Sequence, residues 1–182
     1  MLGVIAAVWF AAAYAAGAAG WFTTGPGEPP IVIGVAAGVS PLLVGAGLLF
    51  SQRVKDWADG LDLGLLINLQ GWRIGGFVFV AFWAQGLLPA GFALPAGIGD
   101  VVIAALAPFV AVRRKGFVVW TAFGILDLVT AVSLGVWHSF TEPSMEVMGR
   151  LPLSLIPAFG VPFLLVVHLL SLRVWSRGIS SL

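Results

Sequence analysis

Phe117–Trp137 reads FVVWTAFGILDLVTAVSLGVW. The run is bounded by Arg113, Arg114 and Lys115 on one side and by His138 on the other, and its one charge, Asp127, sits at its middle. About 20 apolar residues cross a hydrocarbon core roughly 30 Å thick. The stretch therefore predicts a transmembrane helix with a carboxylate at its centre. That placement costs about 2.5–3.5 kcal/mol on insertion scales. A chain that keeps it is expected to give Asp127 a partner, a cavity or a chemical role.

The rest of the chain agrees with this reading. Of 182 residues, 60% are hydrophobic and 9% are charged, against roughly 25% charged in soluble domains. One aqueous core cannot absorb that apolar excess, so a lipid bilayer is the expected solvent and partner. The formal net charge is +1. With no basic stripe interleaved with aromatics, nucleic-acid binding is excluded. Cysteine is absent, which excludes disulfides, thiolate metal sites and thiol nucleophiles. The Ala, Gly, Leu, Val and Pro bias suits a bacterial inner-membrane protein. Leu2–Phe22 with Ala16-Gly17-Ala18 resembles a signal peptide with its cleavage site. No positive charge precedes it, and it exceeds the usual h-region, so it is read as a retained helix.

The apolar runs predict an all-α integral membrane protein, a single domain over residues 1–182 with six transmembrane helices. The spans fall at about 2–23, 31–51, 68–88, 95–112, 117–137 and 151–175. Gly25–Pro30 is a short turn, Arg53–Asp62 an interfacial stretch with an amphipathic piece, and Ser139–Arg150 a polar loop. Leu88–Gly99, a near-repeat rich in Pro and Gly, reads as a helix break: either a tight turn or an unwound cavity wall. Arg53, Lys55, Arg113, Arg114, Lys115, Arg173 and Arg177 all follow even-numbered spans, and Arg150 alone lies clearly opposite, with Glu28, Glu142 and Glu146. The positive-inside rule then places both termini in the cytoplasm.

Small residues recur four apart at Ala11/Ala15, Ala12/Ala16, Ala13/Gly17, Gly34/Gly38 and Gly71/Gly75. That spacing lets helix backbones approach closely in lipid. It serves packing within the chain, or docking of a second copy or a partner membrane subunit. Trp21, Trp57, Trp137 and Trp175 stand near span ends, as an aromatic belt does.

Four ionisable residues lie inside apolar runs: Arg73, Asp100, Asp127 and His168. With the spans above, Asp100 falls in the outer third, Asp127 at the centre, His168 in the inner half, and Arg73 one to two turns from the cytoplasmic side. That spread describes a path or deep pocket. Asp127 is the expected central ligand or proton site, with Arg73 and His168 as charge partners and Asp100 at the outer mouth. Each also has a structural reading. Asp127 and Arg73 form an interhelical ion pair, Arg73 snorkels to headgroups, Asp100 braces the Pro/Gly break, and His168 is a hydrogen-bonded core histidine.

No motif names a cofactor. There is no GxxxxGK[ST] loop, no HExxH pair and no intramembrane lysine, and His138 and His168 lie near opposite faces, which disfavours bis-His haem ligation. Intramembrane Asp and His suit proton or cation handling. The leading expectation is a small transporter, or the substrate-binding membrane subunit of one, acting on a small molecule or ion. The alternatives are an intramembrane enzyme assisted by a metal on Asp100, Asp127 and His168, and a non-catalytic accessory subunit.

Overall fold

The computed structural model describes residues 1–25 and 28–180. Pro26 and Gly27 of the expected turn lie outside the described residues. Every regular element described is helical: α1 (Leu2–Ala18), α2 (Ile31–Phe50), α3 (Gln52–Asp59), α4 (Leu63–Ala84), α5 (Ala90–Arg113), α6 (Phe117–Thr141) and α7 (Ile156–Gly178). Among the described residues, α2, α4, α5, α6 and α7 are long and apolar enough to cross a membrane. The first expected span forms a helix of 17 residues, or about 25 Å at 1.5 Å per residue. Its Ala13 is buried beside Ala158, and Gly17 lies against Leu151 and Ser154.

Three helix starts differ from the sequence expectation: α7 begins at Ile156, five residues after the expected Leu151, and the early starts of α4 and α5 matter for the site. α4 begins at Leu63, five residues before the expected start at Asn68, because Asp62 caps it. The Asp62 carboxylate accepts from the Leu65 amide at 2.6 Å, which satisfies one of the free N–H groups of a first turn. α5 begins at Ala90, directly after Pro89, and runs unbroken through Pro95, Gly97 and Gly99. The expected break is thus confined to the turn around Gly86, whose φ is +71°. The α5 glycines are contact points rather than hinges. A Cβ at Gly97 would lie 2.9 Å from the Gly76 carbonyl oxygen, and one at Gly91 would lie 2.7 Å from Nε2 of His138. Close packing offsets the roughly 1 kcal/mol that each glycine costs a helix.

Helices α4, α5, α6 and α7 enclose the interior, while α2 and α1 pack on the outside of α7. The short α3 lies across one end. Its Ala58 is buried with Leu66 and Leu170, and Asp59 accepts from Arg173 at 2.8 and 2.9 Å and pairs with Arg177 at 2.9 Å. That end also holds the Arg114 side chain, close to Gly64, and is called the basic end below. Glu142 and Glu146 mark the other end.

The hydrogen bond from Arg173, helped by the charges of Arg173 and Arg177 and opposed by desolvation, holds the Asp59 carboxyl below its usual 3.8. A carboxylate whose folded value is depressed stabilises above its unfolded value and loses that contribution as pH falls through the folded one. Protection of the α3 amides against hydrogen exchange is therefore expected to hold from neutral pH down to about that value, and to fall in stronger acid. In Asp59→Asn, protection is low throughout. Equal protection in the two proteins would rule out the clamp.

Candidate functional site

Gln70–Gly76, in the middle of α4, winds as a 3-10 helix. With three residues per turn, positions i, i+3 and i+6 fall in line. The residues in line are Gln70, Arg73 and Gly76, and these three are the buried ones. The local winding thus gathers every polar side chain of the segment on the face that meets α5, α6 and α7.

Arg73 is the centre of the site. Its side chain has no exposed surface, and it donates in three directions. Nε reaches Asp100 Oδ1 at 2.7 Å, Nη2 reaches Asp127 Oδ2, and Nη1 reaches the Gly124 carbonyl oxygen at 3.1 Å. Nε and Nη2 lie on the same edge of a guanidinium, the edge that usually grips both oxygens of one carboxylate. Here that edge takes one oxygen from each of two carboxylates and so holds Asp100 and Asp127 side by side. Two carboxylates and one guanidinium leave a formal charge of −1.

Glycines make room for this. A Cβ on Gly76 would strike Cβ of Asp100. One on Gly99 would overlap the Asp127 carboxylate, and one on Gly124 would overlap the His168 ring and approach Arg73 Nη1 at 3.3 Å. His168 is fully buried. Its ring meets Trp120 edge-on with centroids 5.5 Å apart, and neither of its nitrogens has a hydrogen-bond partner. Buried polar groups ordinarily have one. Gln70 donates to the Leu164 carbonyl oxygen at 3.0 Å, while its Oε1, like Thr121 Oγ1, is unpartnered.

The four residues singled out in the sequence therefore meet, but not as a ladder of depths. Counted from the basic end, Arg73 is the eleventh residue of α4, Asp127 the eleventh of α6, His168 the eleventh of α7 and Asp100 the fourteenth of α5. Three residues are about 4.5 Å of helix, which an arginine side chain bridges. The correction has one cause. The early starts of α4 and α5 move Arg73 and Asp100 from near the ends of their helices to the middle. Arg73 does not snorkel, and Asp100 binds Arg73 instead of bracing a break. Helical spacing already sets Gln70 and Gly76 on the face of Arg73, whereas Gly99, Gly124 and Trp120 were not foreseen as parts of the site. Gly99 beside Asp100, and Gly124 three residues before Asp127, are the signals that the sequence carried.

Each carboxylate also faces a different opening. Asp100 is 15% exposed and lines a cavity of about 80 Å³ that leads toward Glu142 and Glu146. Asp127 is 17% exposed and stands at the head of a groove of about 700 Å³ between α5 and α6. The groove is walled by side chains such as Val119 and Phe123, both largely exposed, and ends at Arg113 and Lys115. Among the described residues, no three His, Asp or Glu side chains converge in a metal-binding group.

The architecture and site define a class: an all-helical chain with several helices of membrane-spanning length and apolarity, closed round a buried arginine–dicarboxylate cluster. Residues 30–175 match the family described as a domain of unknown function (DUF8737), and the chain belongs to that family. The matched segment holds all four site residues, and α1 precedes it. No curated protein and no solved structure matches the chain.

Proposed function

We propose that the protein spans a bacterial inner membrane six times, with both termini in the cytoplasm, and carries or binds a small molecule or ion at the Arg73–Asp100–Asp127–His168 cluster. Five helices have the length and apolarity to span. α1 with the residues that follow it supplies the sixth crossing, and the distribution of Lys and Arg sets the orientation. The basic end is then cytoplasmic, and Glu142 and Glu146 face outward. The observation that carries the reading is the burial of Arg73 between two carboxylates at mid-helix. Ionisable groups at that depth are costly and mark ligand or ion pathways. The guanidinium serves two carboxylates, each facing a different opening.

Asp127→Asn is expected to fold, because the amide is isosteric and Arg73 keeps Asp100. It is expected to lose bound ligand in native mass spectrometry and to lose flux in proteoliposomes by tenfold or more. Unchanged flux and bound mass in a folded variant would defeat the proposal. Metal-assisted chemistry on Asp100, Asp127 and His168 is less well supported, since the guanidinium stands where a metal would bridge the carboxylates.

A further inference from the structure

We infer that the ligand of the cluster is a small monovalent cation, a proton included, which enters through the cavity between Glu142, Glu146 and Asp100 and takes the Asp100 carboxylate from Arg73. The inference rests on the proposed role of the cluster and adds the ligand class, the entrance and the step at the site.

The charge at the cluster comes first. Asp100, Asp127 and Arg73 sum to −1, so one positive charge completes the cluster and an anion adds to its imbalance. The cavity agrees. Its charged lining residues are Asp100, Glu142 and Glu146, with no Lys, Arg or His among them. The nearest cation at the mouth, Arg150, is 68% exposed at its side chain and meets Glu146 at 3.8 Å. A low-dielectric passage lined by one sign of charge focuses its field and concentrates the opposite ion. Phe79 and Phe92 supply aromatic wall. A volume of about 80 Å³ admits a few waters or an ion of ammonium size.

The geometry of Arg73 allows the exchange. Asp100 holds only Nε, while Nη2 and Nη1 hold Asp127 and the Gly124 carbonyl oxygen. A cation arriving at Asp100 replaces one hydrogen bond and leaves the guanidinium anchored by the other two. The freed Nε–H can then join Nη2 on Asp127 as a bidentate pair. If the cation is a proton, it binds an Asp100 oxygen and no covalent bond breaks. His168 is fully buried with both nitrogens unpartnered, and its Nε2 and Arg73 Nη1 converge over the bare Cα of Gly124. The groups facing the exchange are thus Arg73 from α4, Asp127 from α6 and His168 from α7, with Glu142 and Glu146 at the entrance.

The absence of native cysteine makes a direct test clean. A thiol at Gly135, which lines the cavity and whose Cβ would meet only Phe92 at 3.5 Å, is modified with methanethiosulfonate ethylammonium and with its anionic ethylsulfonate counterpart. Relative to a free thiol, the cationic reagent is expected to be favoured about tenfold or more. Glu142→Gln with Glu146→Gln should remove most of that preference. A thiol at Ala131, also on the cavity wall, is expected to be slowed by sodium chloride or ammonium chloride relative to equal choline chloride, or by acidification beyond the slowing of a free thiol, whose reactive thiolate acid itself depletes. Whichever acts identifies the cation, and Asp100→Asn abolishes the protection. No charge preference at Gly135, an unreactive thiol at Ala131, or no protection by any of the three would overturn the inference. Its failure is separable from that of the transport reading. Charge-selective labelling and protection with no flux in proteoliposomes leave a cation-binding protein that is not a carrier. Flux without either leaves a carrier with a different entrance.

Discussion

Arg73→Ala is expected to destabilise the folded chain by about 3–5 kcal/mol, the usual result of removing one partner from a buried ionic group. The substitution leaves Asp100 and Asp127 side by side with no counter-ion and deprives the Gly124 carbonyl of its donor. Both carboxylates are largely buried, with side chains 15% and 17% exposed, so water replaces the guanidinium only in part. Denaturation of the purified protein in mixed micelles, followed by circular dichroism, measures the loss. Adding Asp100→Asn and Asp127→Asn to Arg73→Ala should recover much of it, because an uncharged cluster has less to solvate. Arg73→Lys should fall between, as an ammonium keeps the charge but cannot reproduce the planar fork on three acceptors. If Arg73→Ala is as stable as the parent, the ion cluster does not hold the four helices together.

That prediction could not be written from the sequence. Composition and the apolar runs disclosed a helical chain with several membrane-length helices, and the isolation of Arg73, Asp100, Asp127 and His168 within those runs disclosed the site. Their convergence was hidden for two physical reasons. Helix starts depend on capping and packing as much as on hydropathy. The Asp62 cap, and the burial of Phe92, Ala93, Ala96 and Gly97 on one side of the first turns of α5, lengthen α4 and α5 at the ends where Asn68 and Pro95 looked like boundaries. The second reason is the winding of α4. A 3-10 stretch brings Gln70, Arg73 and Gly76, which α-helical spacing sets only roughly on one side, into a single line that faces the site. The four-residue spacing of small residues marks a close contact at Ala13 and Gly17 but not at the paired glycines. A methyl group at Gly34, Gly38, Gly71 or Gly75 would meet nothing within 4 Å, whereas Gly76, Gly97, Gly99 and Gly124 sit in direct contact with the site or its supports. Which glycines matter is a property of the partner surfaces, which periodicity within one helix does not contain.

Gly99→Val is accordingly expected to be the most damaging substitution that touches no charge. A side chain there must occupy the place of the Asp127 carboxylate, and α5 cannot retreat without pulling Asp100 from Arg73. Overpacking a close contact costs about 1–3 kcal/mol on its own. Displacing Asp127 from the guanidinium adds the loss of a buried charged hydrogen bond, and ligand binding should disappear with it. Gly38→Ala serves as the reference. Its methyl meets nothing, and the gain in helix propensity stabilises by up to about 1 kcal/mol. A second change separates volume from charge. Asp127→Ala in the Gly99→Val background frees the space, leaves Arg73 paired with Asp100 alone, and should restore stability without restoring ligand binding. If Gly99→Val proves no more harmful than Gly38→Ala, α5 and α6 are not in register as described, and the two carboxylates do not share one guanidinium.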